Sequence, residues 1–394
     1  MLRNLFNALR PRGAAARAAV VPAAAAVDTY LIGHHSSLFA LFAPAIVHAP
    51  GARVVGVVAS GVGPAFGEVE FESRVVPAVS PDQYRHAAAQ GGVRLVHFFE
   101  CLEDFALLEA RDGQPALPAL DFLALLQLHN LAHTYQPMPV EHDFAMASAN
   151  IYAALRARLA DPLSRRTLDA RIQALCSLDR RALLAARLDV EVEYFNRADP
   201  VLSLVPGDDE IYVDVGAAHG DTVERFSAVT GGRFREIHAF EPTPGQHRQL
   251  AARWAGDPRV RTYQAAVGEA AGTIPFFDNP LAPFGSNALT LEREHAGFEV
   301  ECVRLDDLIE RCTLVKVDVE GFECAVLRGA ARLIAQCKPD LAIACYHYPQ
   351  DLTEIFEQVM ALHPYRQVAL RHYGPSLFDT VLLFSDRQRF DGGA

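Results

Sequence analysis

The stretch of sequence that decides the fold is Glu210-Ile-Tyr-Val-Asp-Val-Gly-Ala-Ala-His-Gly-Asp-Thr222. Residues 211–215 are β-favouring and mostly apolar, a loop with Gly216 and Gly220 follows, and a helical pattern begins at Asp221. The order of strand, tight turn and helix is typical of sites for nucleotide-like ligands. We therefore expect such a ligand at this turn.

Asp214 indicates which kind of ligand this is. A dinucleotide fold sets its pyrophosphate against the glycines and the helix N-terminus, where a carboxylate two residues before the first glycine would repel it. The glycines here also follow the spacing Gly-x-x-x-Gly instead of Gly-x-Gly-x-x-Gly. An acid at this place suits a cationic amine, such as the amino-acid end of S-adenosylmethionine, so Asp214 is predicted to hold the ammonium. Its alternative role is a cap of the next helix, for which Asp221 is better placed.

Composition limits the class of protein. The chain has 394 residues, of which 51% are hydrophobic and 21% charged, as expected for a soluble globular protein of two or three domains. A net charge of -12 without a sustained Lys/Arg run argues against nucleic acid or an anionic membrane as the main partner. No stretch is apolar enough to span a membrane. The seven cysteines are scattered and never spaced as Cys-x-x-Cys, which indicates reduced thiols in a cytoplasm and no zinc site.

The sequence pattern divides the chain into four segments. Residues 1–27 are rich in Ala and bear Arg, resemble a signal peptide only weakly, and are predicted to form a mobile tail. Residues 28–112 alternate strands and helices as a small Rossmann-like α/β unit, with Ser80-Pro81 starting one helix. Residues 113–200 have helical periodicity with Arg and Asp on the outer faces, typical of a helical connector and lid, and one helix is predicted from Arg165 to Leu188. Residues 201–388 contain the deciding stretch.

In the last segment the alternation of strand and helix continues. A second strand, Glu236 to Phe240, ends in Glu241-Pro242. Because strand ends converge on the crevice of such a sheet, the Glu241 carboxylate can accept both hydroxyls of an adenosine ribose. Residues 261–267 are predicted as the third strand. Residues 278–297, rich in Pro, Gly and Asn, are predicted as a loop over the pocket.

A fourth strand ends with Asp318 and Glu320, before a helix predicted from Phe322 to Gln336. Lys316 in the middle of this strand needs a partner, because an unpaired ammonium in a buried parallel sheet would cost several kcal/mol. A fifth strand is followed by His347. The chain then forms a predicted hairpin, which closes a mostly parallel sheet with an antiparallel strand.

Together these residues resemble the FkbM family of S-adenosylmethionine-dependent methyltransferases, over about residues 205–386. The resemblance implies a seven-stranded class I (Rossmann-like) methyltransferase fold, S-adenosyl-L-methionine as cofactor, and methylation of a hydroxyl oxygen on a sugar or polyketide-like acceptor. His219 stands where relatives often have a small polar residue. The motifs that carry the resemblance are Val213-Asp-Val-Gly-Ala-Ala-His-Gly220, Ala239-Phe-Glu-Pro242, Arg304-Leu-Asp-Asp-Leu308, Lys316-Val-Asp-Val-Glu-Gly321, Leu327-Arg-Gly-Ala330, Tyr346-His-Tyr-Pro349 and Arg371-His-Tyr373.

The expected site combines cofactor and catalytic groups. Because a sulfonium is already an activated methyl donor, the protein must hold donor and hydroxyl in line, supply a base and exclude water. His347, with a reference pKa of about 6.5, is the first choice as base, and Asp318 and Glu320 are the carboxylate alternatives. Structural roles for His347 and Glu320 stay open, and no required metal is predicted. The residues expected to bind the cofactor are Asp214, Gly216, Ala217, His219, Gly220, Glu241, Pro242, Ala266 and Asp318.

Two other classes of function stay open from the sequence. A nicotinamide-dependent enzyme would use the front α/β unit, but its first turn, Gly33-His34-His35-Ser36, has one glycine where a dinucleotide fold has three. A non-catalytic scaffold would bind partners through residues 28–200, and the acids Asp214, Glu241 and Asp318 argue against it. The expected partner is a small-molecule or glycan acceptor. The sequence leaves open whether the chain forms a homo-oligomer.

Overall fold

The computed structural model describes residues 27–59, 67–71, 74–110, 115–129, 131, 138–147, 151–196, 207–277 and 297–387. The chain divides into two compact units, one of residues 1–97 and 110–120 and the other of residues 98–109 and 121–394. Nearly all of the predicted tail and of the predicted loop over the pocket lies outside the described residues. Within the described parts of the chain, no helix is long and apolar enough to cross a membrane.

The first unit is an α/β layer with one six-stranded sheet. Its elements are β1 Asp28–Ile32, α1 Ser37–His48, β2 Arg53–Val58, β3 Glu68–Phe71, β4 Arg74–Val79, α2 Pro81–Gln90, β5 Val93–His97 and β6 Ala119–Asp121, in the sheet order β3-β4-β2-β1-β5-β6. The predicted alternation is confirmed, and Ser80 caps α2 by accepting the Gln83 N–H at 3.1 Å. The sequence did not predict β3 and β6, because three or four residues are too few for a clear period-2 pattern.

Helices occupy the start of the second unit. They are α3 Phe122–Leu128, α4 Met138–Ala147, α5 Ile151–Arg158, α6 Pro162–Ser177 and α7 Arg181–Ala186. The prediction of one helix from Arg165 to Leu188 is wrong, because Leu178 has a left-handed backbone (φ 54°) and ends α6. The prediction of outward-facing Arg and Asp is also wrong for Asp161, Arg171 and Arg180, all of which are buried.

The rest of the second unit carries a seven-stranded and a three-stranded sheet. Its elements in chain order are β7 Ile211–Val215, α8 Asp221–Thr230, β8 Glu236–Phe240, α9 Pro244–Trp254, β9 Val260–Tyr263, β10 Ala266–Val267, β11 Gly272–Phe277, β12 Gly297–Val303, α10 Leu305–Leu308, β13 Leu314–Val317, α11 Glu323–Gly329, α12 Ala331–Cys337, β14 Asp340–Ala344, α13 Asp351–Leu362, β15 Gln367–His372 and β16 Thr380–Ser385. All seven cysteines of the chain are free thiols.

The order of the large sheet is β15-β16-β14-β13-β7-β8-β9. Its neighbours run parallel except where β16 pairs with β14 and β15, which confirms the predicted closing hairpin. Strand β7 is buried at every residue, as expected for an interior strand of a parallel sheet. The chain moves from β7 outward on one side to β9 and returns on the other side at β13. The carboxyl ends of β7 and β13 therefore flank a topological switch point, where open α/β sheets bind their ligands.

Two predicted elements of the second unit are wrong in their bounds. The predicted strand over residues 261–267 is two strands, because β9 ends at Tyr263 and β10 joins the small sheet, in the order β10-β12-β11. The predicted helix from Phe322 to Gln336 is interrupted at Ala330, directly after Gly329. A Cβ at Gly329 would lie 1.9 Å from the carbonyl oxygen of Gly268, so the interruption coincides with a close contact between two backbones.

Buried arginines hold the helices against the large sheet within the second unit. Arg371 on β15 lies 3.2 Å from the Asp161 carboxylate and donates to Ser164 Oγ at 2.6 Å. Arg171 donates to Thr380 Oγ1 at 3.0 Å. These side chains are almost fully buried, so the segment predicted as a connector is packed as part of the core of this unit.

Candidate active site

The turn after β7 brings two backbone segments into contact. Gly216 has a φ of 84°, and a Cβ on it would lie 1.9 Å from the carbonyl oxygen of Asp318. Gly220 has a φ of 92°, and its Cβ would meet the Leu250 side chain at 2.9 Å. Both positions therefore favour glycine by backbone conformation and by space. The Gly216 turn lies directly against the end of β13.

A buried ion pair lies beneath this turn. Lys316 Nζ is 3.3 Å from Asp214 Oδ1 and donates to the Gly216 carbonyl oxygen at 2.6 Å, while Thr222 Oγ1 donates to the other Asp214 oxygen. Burial alone would lower the pKa of Lys316, but the negative charges of Asp214 and Asp318 raise it. The partner that the sequence required for Lys316 is thus Asp214.

This pairing changes the role expected for Asp214. Its side chain is fully buried and already holds a cation and a hydroxyl, so it is closed to a ligand ammonium in this geometry. The sequence alone could not show this, because the pairing of β7 with β13 is what sets Asp214 beside Lys316. Asp214 instead neutralises the lysine under the glycine turn.

Glu241 lies at the carboxyl end of β8 and is buried. One of its oxygens accepts the Ala218 N–H at 3.0 Å and the other accepts the Thr243 N–H at 2.7 Å. Burial raises the pKa of this carboxyl. A carboxylate has about four lone-pair sites, so these bonds fix its orientation and leave acceptor capacity for a ligand.

Asp318 follows β13 and is held by two tyrosines. Tyr194 OH donates to Asp318 Oδ2 at 2.9 Å, and Tyr346 OH donates to Oδ1 at 3.4 Å. From the sequence, Tyr194 could face a substrate, but as a core aromatic it needs no such role. Nothing in its local sequence could have linked it to a residue 124 positions later.

His347 follows β14 and is surrounded by carboxylates. Its Nε2 lies 3.2 Å from Glu320 Oε2 and 3.6 Å from Asp318 Oδ1, and its Nδ1 lies 3.0 Å from Glu323 Oε1. Burial opposes a charge on the imidazole, but Glu323 and Glu320 outweigh it and raise the pKa of His347 well above its ordinary value. These neighbours favour the imidazolium form, whereas the base role expected for His347 needs the neutral form.

One cavity joins most of these groups. Of the residues predicted to form the site, Gly216, Glu241, Pro242, Ala266, Asp318 and Glu320 line it. The other predicted residues are not among its lining residues: Asp214 lies in β7, His347 follows β14, and Ala217, His219 and Gly220 lie in the turn after β7. The sequence analysis did not assign a site role to several other residues that line it, namely Glu193, Tyr194, Asp221, Lys316, Tyr346 and Asp379.

The cavity is strongly acidic. Among its described lining residues Lys316 alone is basic, against six acids, which are Glu193, Asp221, Glu241, Asp318, Glu320 and Asp379. Burial, with the Asp318 charge, raises the pKa of Asp379 to about 7. Burial, with the charges of Asp379 and Asp318, raises the pKa of Glu193 to about 8. The cavity therefore favours positive charge and disfavours an anionic acceptor.

Comparison with known proteins finds a family model that matches part of the second unit. Residues 214–388 match the family model described as "Methyltransferase FkbM domain". The structure of methyltransferase FkbM from Methylobacillus flagellatus KT is similar over 91% of this chain and 90% of its own, with a TM-score of 0.72 and 22% identity. This likeness shows a shared fold.

Two other structures cover less of the chain. An rRNA methylase from Streptococcus thermophilus has a TM-score of 0.30 and 14% identity over 46% of this chain and 90% of its own. Fibrillarin from Aeropyrum pernix has a TM-score of 0.31 and 14% identity over 47% and 70% of the two chains. No match is found among curated proteins.

Proposed function

We propose that this protein, whose residues 214–388 match the FkbM methyltransferase domain model, transfers the methyl group of S-adenosylmethionine to a hydroxyl oxygen of a small-molecule or glycan acceptor. The observation that carries the proposal is the arrangement of Glu241 and the glycine turn at one cavity over the switch point of the sheet. A sugar or polyketide-like acceptor is the class that the family motifs favour, and the acidic lining supports an uncharged or cationic one.

The cofactor is proposed to lie across the ends of β7, β8 and β9. Glu241 accepts hydrogen bonds from the two ribose hydroxyls. Pro242 and Ala266 provide apolar surface beside the adenine base. Gly216 sets the path of the turn, together with Ala217, His219 and Gly220.

The transfer itself needs an acceptor hydroxyl aligned with the sulfonium and a group that takes its proton. Asp318 and Glu320 line the cavity and are the carboxylates proposed to orient the hydroxyl and accept the proton. His347 contacts Glu320 at 3.2 Å from beyond the lining, so we assign it to positioning this carboxylate. The product is a methyl ether, S-adenosylhomocysteine and a proton that passes to solvent.

S-Adenosylhomocysteine is expected to bind the full-length protein, and NAD is not. The reason is the acid at the end of β8 combined with a turn that lacks the dinucleotide glycine spacing. Isothermal titration calorimetry with each ligand measures this. Tight binding of NAD without any response to S-adenosylhomocysteine would overturn the proposed function and favour a nicotinamide enzyme.

Glu241→Ala is expected to weaken S-adenosylhomocysteine binding by about 1.5 to 3 kcal/mol, or roughly 10- to 150-fold, because it removes hydrogen bonds to a charged acceptor. The matched control is Glu236→Ala at the opposite end of the same strand, outside the cavity lining, which should leave the affinity unchanged. Calorimetry gives the affinities and a thermal melt reports folding. An unchanged affinity in folded Glu241→Ala protein would show that Glu241 does not hold the ribose.

A further inference from the structure

Three potential ligand atoms converge where β13 and β14 end. His347 Nε2 is 3.2 Å from Glu320 Oε2 and 3.6 Å from Asp318 Oδ1, and all three residues offer atoms within 4.8 Å of one another. Two atoms that bind one ion at about 2.1 Å stand about 3.0 Å apart at a right angle and about 3.4 Å apart at a tetrahedral angle. The spacing around Nε2 is therefore that of a ligand shell.

The imidazole of His347 is buried without a well-formed hydrogen bond. Its side chain is 4% exposed, and among the described residues neither ring nitrogen has a hydrogen bond of normal geometry, although carboxylates stand close by. Behind Nδ1 lies Glu323 Oε1 at 3.0 Å, and the same oxygen accepts the backbone N–H groups of Val319 at 3.0 Å and Gly321 at 3.3 Å. A fixed carboxylate behind one ring nitrogen is the usual surrounding of a metal-binding histidine. Glu323 thus holds the ring of His347 with Nε2 facing Asp318 and Glu320.

The two carboxylates beside Nε2 call for a positive charge there, which either a second proton on His347 or a bound cation supplies. If Nδ1 carries the hydrogen toward Glu323, the lone pair of Nε2 faces two carboxylates, which is repulsive. Lys316 offsets only part of this repulsion, because its ammonium is paired with Asp214 while its charge also acts on Asp318. The other acids at the cavity, among them Glu193 and Asp379, also favour a positive charge nearby, since such a charge would stabilise their ionised forms.

We propose that Asp318, Glu320 and His347 bind one divalent cation of the kind that accepts oxygen ligands together with an imidazole, such as Mn²⁺. Because Asp318 and Glu320 line the cavity, the ion is reached from it, and its remaining positions take water or the acceptor hydroxyl. Binding of the hydroxyl by the ion rests on the proposed function, whereas binding of the ion does not. The sequence predicted no required metal. It could not show this group of residues, because the parallel pairing of β13 with β14 is what brings them together.

Titration of the full-length protein with Mn²⁺, followed by electron paramagnetic resonance, tests the site. One ion per chain is expected to bind, and pulsed spectra of the bound ion should show modulation from an imidazole nitrogen. Absence of binding at millimolar Mn²⁺ overturns the proposal, because His347 then holds a proton in this position. Bound Mn²⁺ without nitrogen modulation overturns it as well.

Two variants locate the ion. Glu320→Gln should weaken Mn²⁺ binding at least 10- to 100-fold and keep the nitrogen modulation of whatever ion still binds, whereas His347→Gln should remove the modulation. The control is Glu269→Gln, an exposed carboxylate paired with Arg328 that does not line the cavity. Equal affinity for Mn²⁺ in all three variants would place the ion elsewhere and overturn the assignment. Since Glu320→Gln keeps size and shape, it tests the site even if the histidine variant fails to fold.

The outcome is independent of the proposed methyl transfer. If Mn²⁺ binds with the expected variant pattern but S-adenosylhomocysteine does not bind, the cation site stands and the proposed function falls. If S-adenosylhomocysteine binds and Mn²⁺ does not, the methyltransferase proposal stands and the cation site falls.

Discussion

Asp318→Asn is expected to lower the rate of methyl transfer by about 10² to 10⁴, the usual contribution of a proton-accepting group in an active site. The amide keeps the shape of the side chain and can still accept from Tyr194, but it has neither the charge nor the basicity of the carboxylate. Affinity for S-adenosylhomocysteine should fall in the same variant, because Asp318 lies at the cavity against the Gly216 turn.

The measurement is S-adenosylhomocysteine release with the best acceptor from a panel of sugar and polyketide hydroxyls, combined with calorimetry. Tyr194→Phe is the graded control, since it removes one donor to Asp318 while keeping the ring, and it should cost roughly tenfold in rate. Full turnover in Asp318→Asn would transfer the proton-accepting role to Glu320 or leave positioning as the source of catalysis.

Arg180→Met is expected to lower the free energy of unfolding by about 3 to 5 kcal/mol, because it leaves a buried carboxylate unpaired. Arg180 and Asp121 are both fully buried, with Nε 2.9 Å from Asp121 Oδ2. The guanidinium also donates to the carbonyl oxygens of Phe99, at 3.0 Å, and Pro375. One side chain therefore joins three separate segments of the second unit.

Denaturant unfolding followed by circular dichroism measures this change. The adjacent Arg181 is the matched control, since it also pairs with an aspartate, Asp179, but is 62% exposed. Arg181→Met should change the free energy of unfolding by less than about 1 kcal/mol, as is usual for exposed ion pairs. Equal effects of the two substitutions would contradict the importance given to burial.

Local sequence patterns predicted the bounds of several strands and helices, but they failed where tertiary contacts determine the end of an element. Strands β7 and β8 have the predicted bounds, because their apolar periodicity and their turn residues agree. The ends of α6 and α11 were missed. Leu178 is an ordinary helix former that adopts a left-handed conformation here, and the backbone contact of Gly329 with Gly268 joins positions far apart in sequence. Neither feature has a local sequence signal.

The same distinction holds for the residues of the candidate site, some of which could be predicted from local sequence and others not. Glu241 and Asp318 could be found because acids at the ends of parallel strands meet at one edge of the sheet. Glu193 and Asp379 could not, since one precedes the first strand of the large sheet and the other lies in a hairpin turn. Asp214 lies beside Lys316 because of the register in which β7 pairs with β13, and the sequence does not give that register.

The buried arginines have a consequence for shortening the chain. A protein that starts at residue 201, where the sequence pattern places the methyltransferase segment, would keep Arg371 but lose Asp161 and Ser164. It would also keep Thr380 without the guanidinium of Arg171. Cutting there therefore leaves Arg371 and Thr380 without these partners, whereas a cut that retains the helices from Asp121 onward leaves these pairs intact. The smallest piece that keeps these pairs is thus longer than the stretch that carries the family motifs.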